Sequence, residues 1–151
     1  MLFALVLVLM GYGVPRGQFL HQLSLYTVLF AIYYWAFLWR PISLQLAWGL
    51  TLALGFRLLL LFATPELSDD FYRFVFDGHL IKNGLNPYSY LPTEAVEKLG
   101  SRDSEFWSLL LVQMNSSAYY SIYPPLNQLV FWLASLTGEN LLANIVSLRL
   151  I

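Results

Sequence analysis

Two long apolar runs, Phe19 to Trp39 and Ile42 to Ala63, restrict this chain more than any other feature of it. Crossing the roughly 30 Å hydrocarbon core of a bilayer takes about 20 mostly apolar residues in a helix, and each run meets that length. The first is interrupted only by weakly polar groups such as His21, Gln22 and Ser24, and the second holds one charge, Arg57. A soluble fold would have to hide both helices on every side. Composition argues against that, with 58% hydrophobic, 17% aromatic and 11% charged residues, where a soluble domain carries about 25% charged residues. The chain reads as a membrane protein.

Its charges fall in one place. No Asp or Glu precedes Glu66, and eight of the nine acids lie between Glu66 and Glu105. The eight Lys and Arg form no cluster and the net charge is −1, so there is no basic surface to track a phosphate backbone and nucleic acid is excluded as a partner. Without cysteine there are no disulfides, thiolate zinc sites or cysteine nucleophiles. Chemistry in this chain must use carboxylates, hydroxyls, His or Arg.

These patterns give an all-α, polytopic transmembrane bundle with a large extracytoplasmic loop bearing interfacial amphipathic helices. Membrane helices are expected over about 1–14, 19–39 and 42–63, a loop over 64–123, and further membrane helices over 124–151. The first is short, because 14 residues rise only about 21 Å. It has neither a preceding basic residue nor a small-x-small cleavage site, so a secretory signal is the poorer reading. The Arg40-Pro41 turn puts Arg40 on the cytoplasmic side by the positive-inside rule and the acidic segment outside, although Arg16 opposes that orientation. The sequence stops inside an apolar stretch, and the expectation is the N-terminal part of a longer multi-pass protein.

Within the polar segment, Ser68-Asp69-Asp70-Phe71 looks like a helix start, Ser68 being the N-cap and the carboxylates lying at the positive end of the dipole. The helix should run to about Asn83, with Gly84 in the left-handed position that ends it. Asp70, Arg73 and Asp77 share one face at helical spacing. Their plain reading is an exposed salt-bridged face that orients the helix. The plain reading of Asp69-Asp70 is a helix cap; its location beside a span offers another, since carboxylates at the hydrocarbon boundary can meet both a lipid head group and a soluble acceptor. Arg57 has two readings as well, a phosphate fork at membrane depth or a side chain snorkelling to the interface. His79 is expected in solvent, and neither it nor His21 has a metal-ligand partner at zinc-helix spacing. Tyr88, Tyr90, Tyr119, Tyr120 and Tyr123 with Trp107 suit an interfacial belt, or a surface on which sugars stack.

Three strings in order, Leu67-Ser68-Asp69-Asp70-Phe71-Tyr72-Arg73-Phe74 with Phe76-Asp77-Gly78, then Gly84-Leu85-Asn86-Pro87-Tyr88, then Ile122-Tyr123-Pro124-Pro125-Leu126-Asn127-Gln128, resemble bacterial polyprenyl-phosphate-sugar-dependent mannosyltransferases of the GT-C membrane glycosyltransferase superfamily. The resemblance covers roughly residues 42 to 137. It implies a multi-pass enzyme of the bacterial inner membrane that passes a sugar, mannose at the family level, from a polyprenyl-phosphate donor to a hydroxyl of a lipid or glycan acceptor, with inversion. Carried over residue by residue, the motif carboxylates fall on Asp69 and Asp70 and the Tyr-Pro-Pro element on Tyr123, Pro124 and Pro125. Here the carboxylates are adjacent, where some relatives separate them by one residue, and the chain is far shorter than the family's usual length.

The chemistry suits these residues. One carboxylate, Asp69 slightly favoured, takes the acceptor hydroxyl's proton while the other orients it, because neighbouring side chains on a helix diverge by about 100°. Arg57, Arg73 and Lys82 are the candidates to stabilise the charge left on the donor phosphate, and Asn86, Tyr88 and Tyr123 form the candidate substrate-binding loop. A lipid phosphate is already a fair leaving group, so no cofactor is demanded and no metal site is assigned, though a divalent cation is compatible with the carboxylate pair. The competing readings are a transporter or channel segment whose carboxylates form a cation entrance, and a non-catalytic membrane assembly module.

Overall fold

The computed structural model describes residues 1–39, 45–100 and 104–151, and over these the chain is helical, with no strand. The Arg40-Pro41 turn and the 101–103 stretch of the loop lie outside the described residues. The elements are α1 (Leu2–Gly13), α2 (Phe19–Trp39), α3 (Gln45–Leu59), α4 (Asp70–Lys82), α5 (Pro92–Lys98), α6 (Glu105–Gln113), α7 (Pro125–Ser135) and α8 (Leu141–Leu150). They group into two compact units, Met1–Leu67 and Ser68–Ile151.

In the first unit, α1 packs on α2 and α3. The Phe3 and Phe56 rings meet at 4.8 Å, the Tyr12 hydroxyl donates to the Leu59 carbonyl at 2.8 Å, and Gly11 brings the α1 backbone against the Leu60 side chain. Little else is enclosed. Tyr33, Trp35, Phe37 and Trp39 on α2 are all more than half exposed, which in water would be a large unfavourable apolar surface. α2 is the one helix among the described residues long and apolar enough to cross a membrane. The second run is shorter as a helix than its composition indicates, because α3 ends at Leu59 and the chain turns through residues 60–63 with Leu61 and Ala63 amides bonding back three residues.

The second unit is built around α4, which packs on α7, α6 and α8. Its core joins Val75, Phe76 and Leu80 of α4 to Ala95 and Val96 of α5 and to Trp107 and Leu110 of α6, with Met114. Each of the Val, Leu, Phe and Met side chains among them contributes on the order of 1.5–3 kcal/mol when taken from water. At the crossing of α4 with α7, Gly78 lies against the Phe131 backbone carbonyl, where a β-carbon has no room. Helix ends follow local chemistry: Pro92 opens α5, Asn140 Oδ1 accepts from the Ala143 amide to cap α8 at 2.9 Å, and Gly84 closes α4 at a φ of 77°.

Candidate functional site

Asp69 and Asp70 sit at the start of α4, both half-buried. The helix begins one residue later than Ser68 as N-cap would give: Asp69 holds the cap position, while Ser68 Oγ accepts from the Asp70 amide at 3.2 Å. The Asp69 side chain makes no cap hydrogen bond, and Asp70 lies in the first turn, where its charge favours the positive end of the helix dipole.

One turn on, the expected surface ion pair is not on the surface. Arg73 and Asp77 are almost wholly enclosed, with Arg73 Nε donating to Asp77 Oδ1 at 2.8 Å. Arg73 Nη1 donates to the Ser116 and Tyr119 carbonyls at 2.9 and 2.8 Å. Asp77 Oδ2 accepts from Ser121 Oγ at 2.5 Å and from Gln128 Nε2 at 2.9 Å, and Gln128 Nε2 also reaches Ser121 Oγ at 2.8 Å. The reason is tertiary: the 116–121 segment and α7 close over a helix face that would otherwise be wet, and the pair exchanges hydration for carbonyl, hydroxyl and amide partners. Arg73 is thus a tie between α4 and the segment leading into Tyr-Pro-Pro, with most of its donors spent. Of the other candidate cations, Lys82 is exposed at the end of α4 and donates to the Ser135 carbonyl at 3.2 Å, and Arg57 is exposed in the last turn of α3 in the first unit.

The sequence strings meet in space within the second unit. The Tyr88 hydroxyl donates to the Tyr123 carbonyl at 2.5 Å, Asn86 Oδ1 accepts from the Tyr88 amide at 3.0 Å, and the Tyr123 ring packs edge-on to Phe74 and Phe131, which stack on each other at 4.6 Å. Burial raises the Tyr123 phenol above its usual value, and the Asp70 charge adds to that; Asp77 acts in the same sense and Arg73 against it. A groove of about 400 Å³ opens beside this cluster, lined by Ile81, Leu85, Asn86, Pro87, Tyr88 and Gln128.

His79 is also a correction. It is buried, its ring edge-on to Phe106 and Trp107, with Nε2 3.3 Å from Asn144 Oδ1. Asn144 Nδ2 donates to the Gly138 and Asn140 carbonyls, so Oδ1 is the end facing the ring and Nε2 carries the proton. Burial lowers the His79 pKa, with Lys82 adding to the fall and the Asn144 bond and Glu139 opposing it. Among the described residues no three His, Asp or Glu side chains lie together as a metal site requires.

Ser121, Gln128 and Asn144 carry polar contacts that sequence reasoning did not single out. Only Gln128 left a trace, as the last residue of the third string. A family model described as alpha-(1->6)-mannopyranosyltransferase, N-terminal domain, matches residues 5–151. No curated protein and no solved structure matches the chain significantly.

Proposed function

From the premise that this chain belongs to the alpha-(1->6)-mannopyranosyltransferase family, as the N-terminal domain of a hexosyltransferase, we propose that it carries the acidic site of an integral membrane enzyme that moves mannose from a polyprenyl-phosphate donor to an acceptor hydroxyl with inversion. The family displaces the transporter and assembly-module readings. The observation that carries the proposal is the meeting of Phe74, Tyr88 and Tyr123, three residues from three separate strings, through one hydrogen bond and one aromatic cluster on the helix that opens with the acidic pair.

In this reading Asp69 accepts the proton of the acceptor hydroxyl as its oxygen bonds to the anomeric carbon. The bond from that carbon to the phosphate oxygen breaks on the opposite face, and the electron pair leaves with polyprenyl phosphate. Asp70 and Tyr123 orient the acceptor. Arg73, enclosed, holds the 116–123 segment in place; Lys82 stands at the opposite end of α4 from Asp69, about 20 Å along the helix axis, too far to meet the phosphate leaving there, and Arg57 is the candidate cation of the first unit. The polar segment lies on the extracytoplasmic face of a multi-pass protein, anchored by α2, and the acceptor is a lipid or glycan.

The test is transfer from polyprenyl-phosphate mannose by the full-length enzyme. Asp69→Asn is expected to lower kcat by at least about 10²-fold, the scale of a lost general base, and Asp70→Asn to lower it as well, both with normal membrane insertion. Full activity in both variants removes the catalytic assignment.

A further inference from the structure

α7 is built inside out. The side chains it buries are Gln128, Phe131, Ala134 and Ser135, with Gly78 of α4 against the Phe131 carbonyl. Its opposite side carries Leu126, Leu129 and Leu133, continued by Leu136 just past the last turn, at 71, 48, 38 and 54% exposure. Spacings of three, four and three residues put these leucines in one stripe. Asn127, the one exposed polar side chain of the helix, lies in its first turn. α4 does the reverse and keeps Phe71, Val75, Phe76 and Leu80 inside the unit.

Water is the wrong neighbour for such a stripe, which leaves lipid or a further helix. Residue type separates them. Helices that pack within a membrane meet through small and polar side chains, because lipid tails already offer leucine as good a contact as another helix does. α7 gives a face of that kind to α4, through Gln128, Ala134 and Ser135 opposite Gly78, and turns leucine outward. The stretch 106–138 holds no Asp, Glu, Lys or Arg, so it brings no charge into hydrocarbon.

The helix is too short to cross. Its 11 residues rise about 16 Å, near half of the roughly 30 Å core. Its inclination follows from α4, which runs beside it in the same direction: Phe74 meets Tyr123 and Phe131, and Lys82 reaches the Ser135 carbonyl. Asp69 and Asp70 therefore stand at one end of the helix pair, and Lys82, with Glu139 just beyond α7, at the other. An upright α7 would push one charged end into hydrocarbon, at a steep cost. Lying flat, it keeps both ends at the head-group level.

We propose that α7 lies in the plane of the extracytoplasmic leaflet, with Leu126, Leu129, Leu133 and Leu136 among the acyl chains and α4 on its outer side. An interfacial helix sinks its apolar face by about 5–10 Å, and packed helices lie roughly 8–10 Å apart. The start of α4 is thus held in the head-group layer, where a lipid-linked phosphate lies. The proposal rests on the membrane reading above and its orientation, not on the chemistry of the acidic pair.

The experiment uses the full-length enzyme in nanodiscs of phosphatidylglycerol and phosphatidylethanolamine. Residues 1–151 hold no cysteine; with any beyond them replaced, Leu126→Cys, Leu129→Cys, Leu133→Cys or Leu136→Cys carries a single nitroxide. Power-saturation EPR then compares collisions with oxygen, which dissolves in lipid, and with a water-soluble nickel chelate. All four labels should meet oxygen more than nickel, and those at 126 and 136 should sit at one depth. A separation approaching 15 Å, the rise of ten residues, would mean an upright helix and overturn the proposal. Labels open to nickel, on a wet face, or closed to both reagents, under another helix, would overturn it too. Depth is read without turnover: a wet or covered stripe with Asp69→Asn still inactive removes the seat of α7 alone, and a lipid-facing stripe with a fully active Asp69→Asn removes the catalytic pair and leaves the seat.

Discussion

Arg73 Nε lies 2.8 Å from Asp77 Oδ1, one helical turn apart and both out of solvent. Exposed pairs at this spacing contribute about 0.3–0.5 kcal/mol. Enclosed ones behave differently, because losing one partner strands a charge that has already been dehydrated.

The first prediction follows from that asymmetry. Asp77→Ala should destabilise the enzyme by about 3–5 kcal/mol, while Arg73→Met combined with Asp77→Leu should recover a substantial part of the loss. Thermal unfolding of the reconstituted protein measures both. A double variant less stable than Asp77→Ala would contradict a buried, mutually dependent pair.

Gly78 gives the second. A β-carbon there would land on the Phe131 carbonyl, and neither backbone can yield without parting α4 from α7. Gly78→Ala should cost about 1–3 kcal/mol, the range for overpacking, although alanine is the better helix former. An unchanged or raised melting temperature would refute the close crossing.

His79 sets a pH dependence. Its folded pKa lies below the ordinary 6.5 because burial disfavours the cation. Below that value the unfolded chain binds a proton the folded one refuses, so stability falls as pH drops and is flat above. The slope is at most about 1.4 kcal/mol per pH unit. His79→Gln should remove this component of the loss between pH 7 and 5, read by thermal melts across the range; identical pH profiles would show that His79 does not titrate this way.

For donor recognition, Arg57→Leu should raise KM for polyprenyl-phosphate mannose about tenfold or more, the scale of a charge-assisted hydrogen bond. The acceptor KM should change little. An unchanged donor KM rejects the phosphate role of Arg57.

Topology is tested by a cysteine at Ser104, just ahead of α6. The chain has no cysteine of its own, so labelling by an impermeant thiol reagent reports one site. Reaction from the extracytoplasmic side is expected, and reaction only from the cytoplasm would reverse the orientation.

Some of this was plain in the residues taken alone. Apolar runs without alternation made the chain helical, and Asn83-Gly84 marked the end of α4 because glycine alone adopts a positive φ without strain. The acidic pair at the α4 start was equally local, since neighbours in sequence are neighbours in space. What could not be read was which polar side chains would be enclosed. Spacing places Arg73 and Asp77 on one face whether that face is wet or dry. The face is dry because Ser121 and Gln128, 44 and 51 residues away from Asp77, arrive beside it, and His79 is enclosed by Asn144, 65 residues on. Period and propensity act over a few residues and fix the helices; the dielectric around each charge depends on chain that returns from far along the sequence, and only the packed structure decides it.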